Sequence, residues 1–303
     1  MYKRLELHNH TTESDAQITV EELIRLMESE QVDAFALTDH NTISGNVKAK
    51  RFLESHDLKV QCIYGMEYTT YYGHILCFNL NQYVSWENIN QQKPELLFQA
   101  VKETGALVGI AHPFAVGAPF QRGCRFEMKI SDYRCVDFIE IFNNSRPSHG
   151  SKESLLYWEQ LVLGGLTIAM IAGLDLHRKI SMDDEFSTYI QGEMNGDISA
   201  ELEKAIQSQE TWVSRGPILE VSLNKTKRTL KMNVVETKKS KKMNFDPKDY
   251  FITLKTSKDT YKMAVNREFS LDETKGEEII IPKLYHKEEK IENLICMAPA
   301  III

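Results

Sequence analysis

Nine side chains able to hold a metal ion stand in short clusters along this chain of 303 residues. His8 and His10 fall in LELHNH, with Asp15 shortly after. His40 lies in AFALTDHNT, Glu67 in CIYGMEY, His74 in GHILCFN and His112 in LVGIAHPF. Asp175 and His177 end the series in IAGLDLH. Neutral imidazole and ionised carboxylate together are the donor set of a divalent transition-metal site. Any one of these histidines alone reads more simply as a core or surface residue. Nine donors, almost all in or just beyond a hydrophobic run, imply a multinuclear metal centre. Its ions lower the pKa of a shared water, supply hydroxide near neutral pH and offset the charge of a phosphoryl transition state. Mn, Fe and Zn all suit the set, and ligand type does not choose among them.

The elements that must position these donors are read from periodicity. Strands are expected at Arg4–Leu7, Ala34–Thr38, Val60–Tyr64, Ile75–Phe78, Ala106–Ala111, Phe138–Phe142 and Thr167–Ala172. Helices are expected at Val20–Glu30, behind a capping-box pair of Thr19 and Glu22, and at Pro94–Glu103 and Ser151–Gly164. Strand–helix alternation implies parallel strands joined by helical crossovers, and apolar runs such as FIEIF suit a covered sheet or barrel. In a βα barrel, the C-terminal strand edges are where distant loops converge, which would gather donors 170 positions apart. After about residue 195 the pattern changes. A helix at Ala200–Ser208 leads into TWVSRGPILEVSLN, and then strand-like runs follow at Leu230–Val235, Tyr250–Leu254, Tyr261–Val265 and Glu278–Ile281. This divides the chain into a catalytic part, 1–195, and a β-rich appendage, 196–303.

Composition narrows the class. Hydrophobic residues at 42% and charged residues at 26% describe an ordinary globular protein. No apolar stretch reaches the roughly 18–20 residues of a membrane span. MYKRLELHNHTT enters a strand and a ligand pair at once, which leaves no room for a signal peptide. Five cysteines without a CxxC spacing read as reduced thiols, and the expected location is cytoplasmic. The net charge of -7 is uneven: residues 1–190 carry 17 basic against 25 acidic side chains, and residues 191–303 carry 19 against 18. The acidic half argues against nucleic acid beyond short nucleotides as a partner, although bound cations would reverse the local field. The Lys-rich run between Lys225 and Lys242 has no interleaved aromatic for base stacking, and a solvated β-hairpin is the simpler reading. Oligomeric state is not readable.

The ordered set HNH, SD, TDHNT, GME, GH, AHP and GLDLH resembles the polymerase and histidinol phosphatase (PHP) superfamily of metal-dependent phosphoesterases, over roughly residues 4–180. EIFNNSR followed by a helix, and the later SRGPILEVSLN, are similar to the branch of carbaryl-hydrolase-like metallohydrolases, which also carries a C-terminal β region. The resemblance implies an α/β fold: a distorted seven-stranded βα barrel with a small C-terminal β-rich domain. It further implies three metal subsites. His8, His10, Glu67 and Asp175 would hold one ion, and Glu67 would bridge to a second held by His74 and His112. Asp15, His40 and His177 would hold a third. Two departures from the family pattern, Ala16 in place of Gly and Leu174 in place of Ser, remove no ligand.

Substrate handling is expected from neighbours of these motifs. Arg146 and Arg178 could fork onto a phosphate or carboxylate, and His149 could protonate a leaving group. Asp39 could orient a ligand or cap its loop. The alternative for each is an ordinary loop residue. The leading function is a phosphoesterase acting on a small phosphorylated molecule. The alternatives are a carboxylic or carbamic ester hydrolase, and a metal-binding regulatory protein without turnover.

Overall fold

The computed structural model describes residues 1–87, 89–116, 123–143, 150–242 and 245–303. The first half runs β1 (Tyr2–Glu6), α1 (Val20–Ser29), β2 (Ala34–Leu37), α2 (Ser44–Glu54), β3 (Gln61–Thr70), β4 (Gly73–Phe78), α3 (Glu95–Lys102), β5 (Leu107–Ile110), β6 (Phe138–Asn143), α4 (Ser151–Leu163) and β7 (Ala169–Gly173). It continues as β8 (Ser187–Gln191), α5 (Ile198–Gln207), β9 (Trp212–Ser214), β10 (Ile218–Asn224), β11 (Thr229–Val235), β12 (Tyr250–Lys255) and β13 (Thr260–Ala264). The chain ends with β14 (Glu268–Ser270), β15 (Ile279–His286), β16 (Leu294–Met297) and β17 (Ile301–Ile302).

Local signals explain most of these elements. Thr19 and Glu22 form both halves of a capping box, and α1 buries Val20, Leu23, Ile24 and Met27 at helical spacing. Periodicity does not reveal α2. Its N-cap is Ile43, with no side-chain cap, and its buried face is Gly45, Asn46 and Ala49, too small and polar to register as an apolar stripe. In the opposite direction, β3 runs past the expected end at Tyr64 to Thr70, and this extension carries Glu67 into the sheet.

The seven expected strands are present, but they neither all run parallel nor close a barrel. β1, β2 and β3 pair in parallel, as do β5, β6 and β7. Between them β4 is antiparallel to both neighbours, because β3 and β4 are joined by a tight turn rather than a crossover helix. Closure would need β7 to pair along β1. That edge of β1 is taken by β8, antiparallel, from Tyr2↔Gln191 to Leu5↔Thr188. β1 and β7 therefore meet only beyond their ends, at the single parallel bridge Asn9↔Leu176. Leu5, Ala36, Ile63, Phe78, Phe138, Ile171 and Ile190 pack with Leu202 and Ile206 of α5 in one buried core cluster on a face of this sheet.

The C-terminal residues are β-rich and extend the same sheet. Its order is β13-β12-β15-β16-β9-β8-β1-β2-β3-β4-β5-β6-β7, with β17 paired to β15, while β10, β11 and β14 form a separate three-stranded sheet. Phe251, Ile281, Leu294 and Met297 share a core cluster with Phe98, Trp158 and Met170. Hydrogen-bonded strands thus cross the boundary expected at 195. The Lys-rich run supplies the turn and second strand of the β10/β11 hairpin; beyond it Lys239 is buried and donates to the Glu185 carbonyl, while exposed Lys238 pairs with Asp33 at 3.1 Å. No helix of the described residues is long and apolar enough to cross a membrane.

Candidate metal centre

All nine predicted donors lie at one end of the sheet, and five imidazoles surround one carboxylate. Glu67 is fully buried on β3. Its Oε1 lies 3.3 Å from His8 Nε2, 2.9 Å from His74 Nδ1 and 3.1 Å from His112 Nε2. Its Oε2 lies 3.4 Å from His10 Nε2 and 2.8 Å from His40 Nδ1. Asp175 Oδ1 lies 3.0 Å from His10 Nε2 and 3.5 Å from His8 Nε2. Further out, Asp15 Oδ1 lies 3.2 Å from His177 Nε2 and 3.5 Å from His40 Nε2. The Asp15 side chain is 61% exposed.

Backbone geometry decides this convergence. β1 ends at Glu6, so His8 and His10 are presented from the extended segment beyond it, flanking the bridge at Asn9. Asp175 and His177 come from the matching segment beyond β7. Where these segments meet, a Cβ on Gly173 would stand 2.4 Å from His8 Cβ, so only glycine allows the approach. His112 and Asp175 occupy left-handed backbone, at φ 25° and 49°, which costs a non-glycine residue about 1–3 kcal/mol and clusters at functional sites.

Supporting contacts choose which ring nitrogen faces inward. His112 Nδ1 is 3.0 Å from the Cys124 carbonyl, and His177 Nδ1 is 2.7 Å from the Asp175 carbonyl. Donation there leaves both Nε2 lone pairs free for the centre. Asp39 accepts from the Thr11 amide at 2.7 Å, the Thr11 hydroxyl at 2.8 Å and the Ser14 hydroxyl at 2.7 Å. It therefore holds the loop that carries Asp15. The Thr69 hydroxyl contacts His40 Nδ1.

The residues fit divalent cations on two observations. His8 Nε2 and His10 Nε2 lie 3.5 and 3.0 Å from Asp175 Oδ1, and all three atoms are buried, yet none is aligned in a hydrogen bond. Buried polar atoms left unsatisfied are costly, and atoms arranged this way aim at a common point rather than at one another. Ligand atoms also fall within 4.8 Å of one another in four groups among the described residues: His8, His10, Glu67 and Asp175; Glu67, His74 and His112; His10, Asp15, His40 and His177; and His8, His112 and Glu140. The first three of these groups bring together the residues expected to share an ion, with His10 additionally beside Asp15, His40 and His177.

Electrostatics without the ions shows the strain of the arrangement. Burial would raise the Glu67 carboxyl, but the charges of His8 and His74, the hydrogen bond to His112 and the close His40 ring hold it well below the carboxylate range. Burial would likewise lower His112, yet its hydrogen bond to Glu67 and the charges of Glu67, Asp175 and Glu140 raise it to about 9. For His10, burial prevails and the imidazole is lowered. In the protein alone, carboxylates and imidazoles thus stabilise one another's charge.

Two expected substrate residues, Arg146 and His149, lie outside the described residues. Arg178 is exposed, directly beside His177. Two buried carboxylates escaped the sequence reading. Glu140, in FIEIF, contacts His8 and the His112 amide, while Glu6, in LELHNH, accepts from the Leu174 amide at 2.7 Å. An acidic residue inside the apolar run FIEIF is the signal that could have found Glu140, whereas Glu6 follows Lys3 and Arg4 in β1 and carries no such signal.

Comparison with known proteins agrees with this architecture. The chain is 26% identical over 121 residues to an uncharacterized protein of Methanocaldococcus jannaschii, covering 40% of this chain and 64% of that relative's length. A two-domain Bacteroides vulgatus structure, described as containing a predicted PHP-like metal-dependent phosphoesterase, has a similar fold, with a TM-score of 0.58 at 14% identity. The alignment spans 99% of this chain and 95% of that one. A Bifidobacterium adolescentis structure proposed to be a metal-dependent phosphoesterase aligns over 58% of this chain and 88% of its own, with a TM-score of 0.41 at 15% identity. The sequence profile of the PHP domain matches residues 6–212. Because that match takes in more than half of the chain and every strand and loop carrying the nine donors, the chain belongs to the PHP domain family.

Proposed function

We propose that this protein is a metal-dependent hydrolase, and specifically a phosphoesterase that cleaves a small phosphate mono- or diester. The observation that carries the reading is the Glu67 hub: one buried carboxylate in contact with five imidazoles, beside donor atoms that have no hydrogen-bond partner. His8, His10, Glu67 and Asp175 would hold one ion, and Glu67, His74 and His112 a second. Asp15, His40 and His177 would hold a third at the exposed rim. Two or three divalent ions of Mn, Fe or Zn would supply Lewis acidity and a water of lowered pKa.

The protein's own part is to fix these donors and to set the charge of the pocket. Among the described residues, no lysine or arginine pairs with Glu67, Asp175 or Asp15. The carboxylates are thus reserved for cations rather than neutralised within the fold. Once loaded, the pocket is cationic and favours a dianionic phosphoryl group over a neutral ester. Arg146 and Arg178 are proposed to bind the phosphate from the rim, and His149 to protonate the leaving group. The likeness of the whole fold to the Bacteroides protein, itself described as a predicted phosphoesterase, supports the same reading.

The test is a parallel assay of nitrophenyl phosphate, bis-nitrophenyl phosphate and nitrophenyl acetate with added manganese. Phosphate ester cleavage should exceed acetate cleavage. Acetate preferred by more than about tenfold would move the assignment to a carboxylic or carbamic ester hydrolase. No turnover in a protein that carries its metals would mark a binding or regulatory protein.

A further inference from the structure

Glu140 sits at the middle of β6 between buried Ile139 and Ile141, and is itself fully buried. Its Oε1 lies 3.0 Å from His8 Nδ1. Its Oε2 accepts from the His112 backbone amide at 2.9 Å and from Asn143 Nδ2 at 3.1 Å. One carboxylate thereby grips a donor of two different proposed subsites. Donation to Oε1 places the His8 ring proton on Nδ1, which turns the Nε2 lone pair toward Glu67 and Asp175, at 3.3 and 3.5 Å. Nε2 is the His8 nitrogen left without a hydrogen-bond partner. Donation to Oε2 fixes the left-handed backbone of His112, which turns that ring onto Glu67. Gly173 keeps the seam open, since a Cβ there would stand 2.7 Å from Glu140 Oε1.

Glu140 could instead be read as a third ligand with His8 and His112, whose atoms share a 4.8 Å neighbourhood with it. Its oxygens already face three N–H donors, and His8 would have to give up its Nδ1 proton, so a metal is the poorer partner. A carboxylate behind a ligating imidazole fixes its tautomer and raises its basicity. We propose that Glu140 is the positioning residue that couples the first two metal subsites, holding His8 in its Nδ1-protonated tautomer and His112 in its strained backbone. The inference rests on the metal reading of the site given above.

The experiment is zinc titration of the full chain against a chromophoric chelator, with urea unfolding of the metal-free proteins alongside. Glu140→Gln keeps the side-chain volume and removes the charge. It should weaken zinc binding about 10–100-fold, and Glu140→Asp should recover part of the loss. The same loss should persist in an Asp15→Asn background, because Glu140 does not touch the third subsite. In zinc-loaded wild type, the 15N–1H spectrum should show a protected His8 Nδ1–H signal that shifts in Glu140→Gln. A folded Glu140→Gln that binds zinc like wild type, or one that only loses stability, overturns the inference. If Glu140→Gln does not fold, Asn143→Ala decides: a several-fold loss of affinity supports the coupling and unchanged affinity overturns it. Wild type that binds no zinc would instead overturn the metal reading itself.

Discussion

Two buried clusters of charge, built from opposite logic, lie in this fold. At the metal end, Glu67 and Asp175 are surrounded by imidazoles, and several donor atoms are left without a hydrogen bond. On α4, Glu159 is equally buried, but both of its oxygens are taken: Lys283 Nζ and Lys255 Nζ each lie 2.5 Å away. The second cluster is complete within the chain and ties α4 to β12 and β15. The first is complete only with cations from outside. A buried carboxylate by itself therefore says little about function; what distinguishes the functional one is whether the protein supplies the opposing charge.

This contrast is open to direct attack, beginning at the hub. Replacing Glu67 with Gln should lower activity by more than the roughly 10–100-fold typical of a residue that only supports a ligand. Elemental analysis should show metal lost as well. Near-wild-type turnover would end the bridging role. Replacing Lys283 with Met should act in the other direction, destabilising the fold by about 3 kcal/mol because Glu159 loses the buried one of its two cations. Metal content should be unaffected, and urea unfolding with and without a chelator would expose any crosstalk.

A subtler difference lies at Lys239, which is buried beside Arg4 and donates to the Glu185 carbonyl. Burial, then the charge of Arg4, lowers its ammonium from 10.5 to about 7, while Glu6, Glu185 and Asp183 pull the other way. The fold therefore prefers the neutral amine while the unfolded chain stays protonated. Stability should rise with pH between about 7 and 10.5, by at most about 1.4 kcal/mol per unit. Lys239→Met should flatten that slope in denaturant melts, and an unchanged slope would place its origin elsewhere. The smallest effect is expected at the rim. Asp15→Asn alters an exposed side chain, so stability should shift by no more than about 0.5 kcal/mol. In protein loaded to saturation, the metal count should fall by one, with Glu67 and its partners still occupied.

Much of the centre was legible before any coordinates, because donors placed at the ends of apolar runs keep their meaning wherever the runs go. Eight of the nine residues from His8 to His177, all but Asp15, could be read that way, and so could α1, whose capping box and apolar spacing are local. Glu140 and Glu6 were hidden, since each is a lone acid in a strand and only its neighbours across the sheet reveal its partners. The missed α2 had no cap and only small residues on its buried face.

What the residues determined by themselves is the chemistry: imidazoles and carboxylates in numbers and order that suit several divalent ions, carried on alternating strands and helices. Only the tertiary structure decided how they are shared. It set β4 antiparallel, gave β1 its pairing to β8, and so left β1 and β7 to meet at the Asn9↔Leu176 bridge rather than along a closed barrel. It also ran the C-terminal strands into the same sheet. The physical reason is that donor type is a property of each side chain alone. Pairing partners and burial are set by which strand edges are already occupied, and no single segment carries that information.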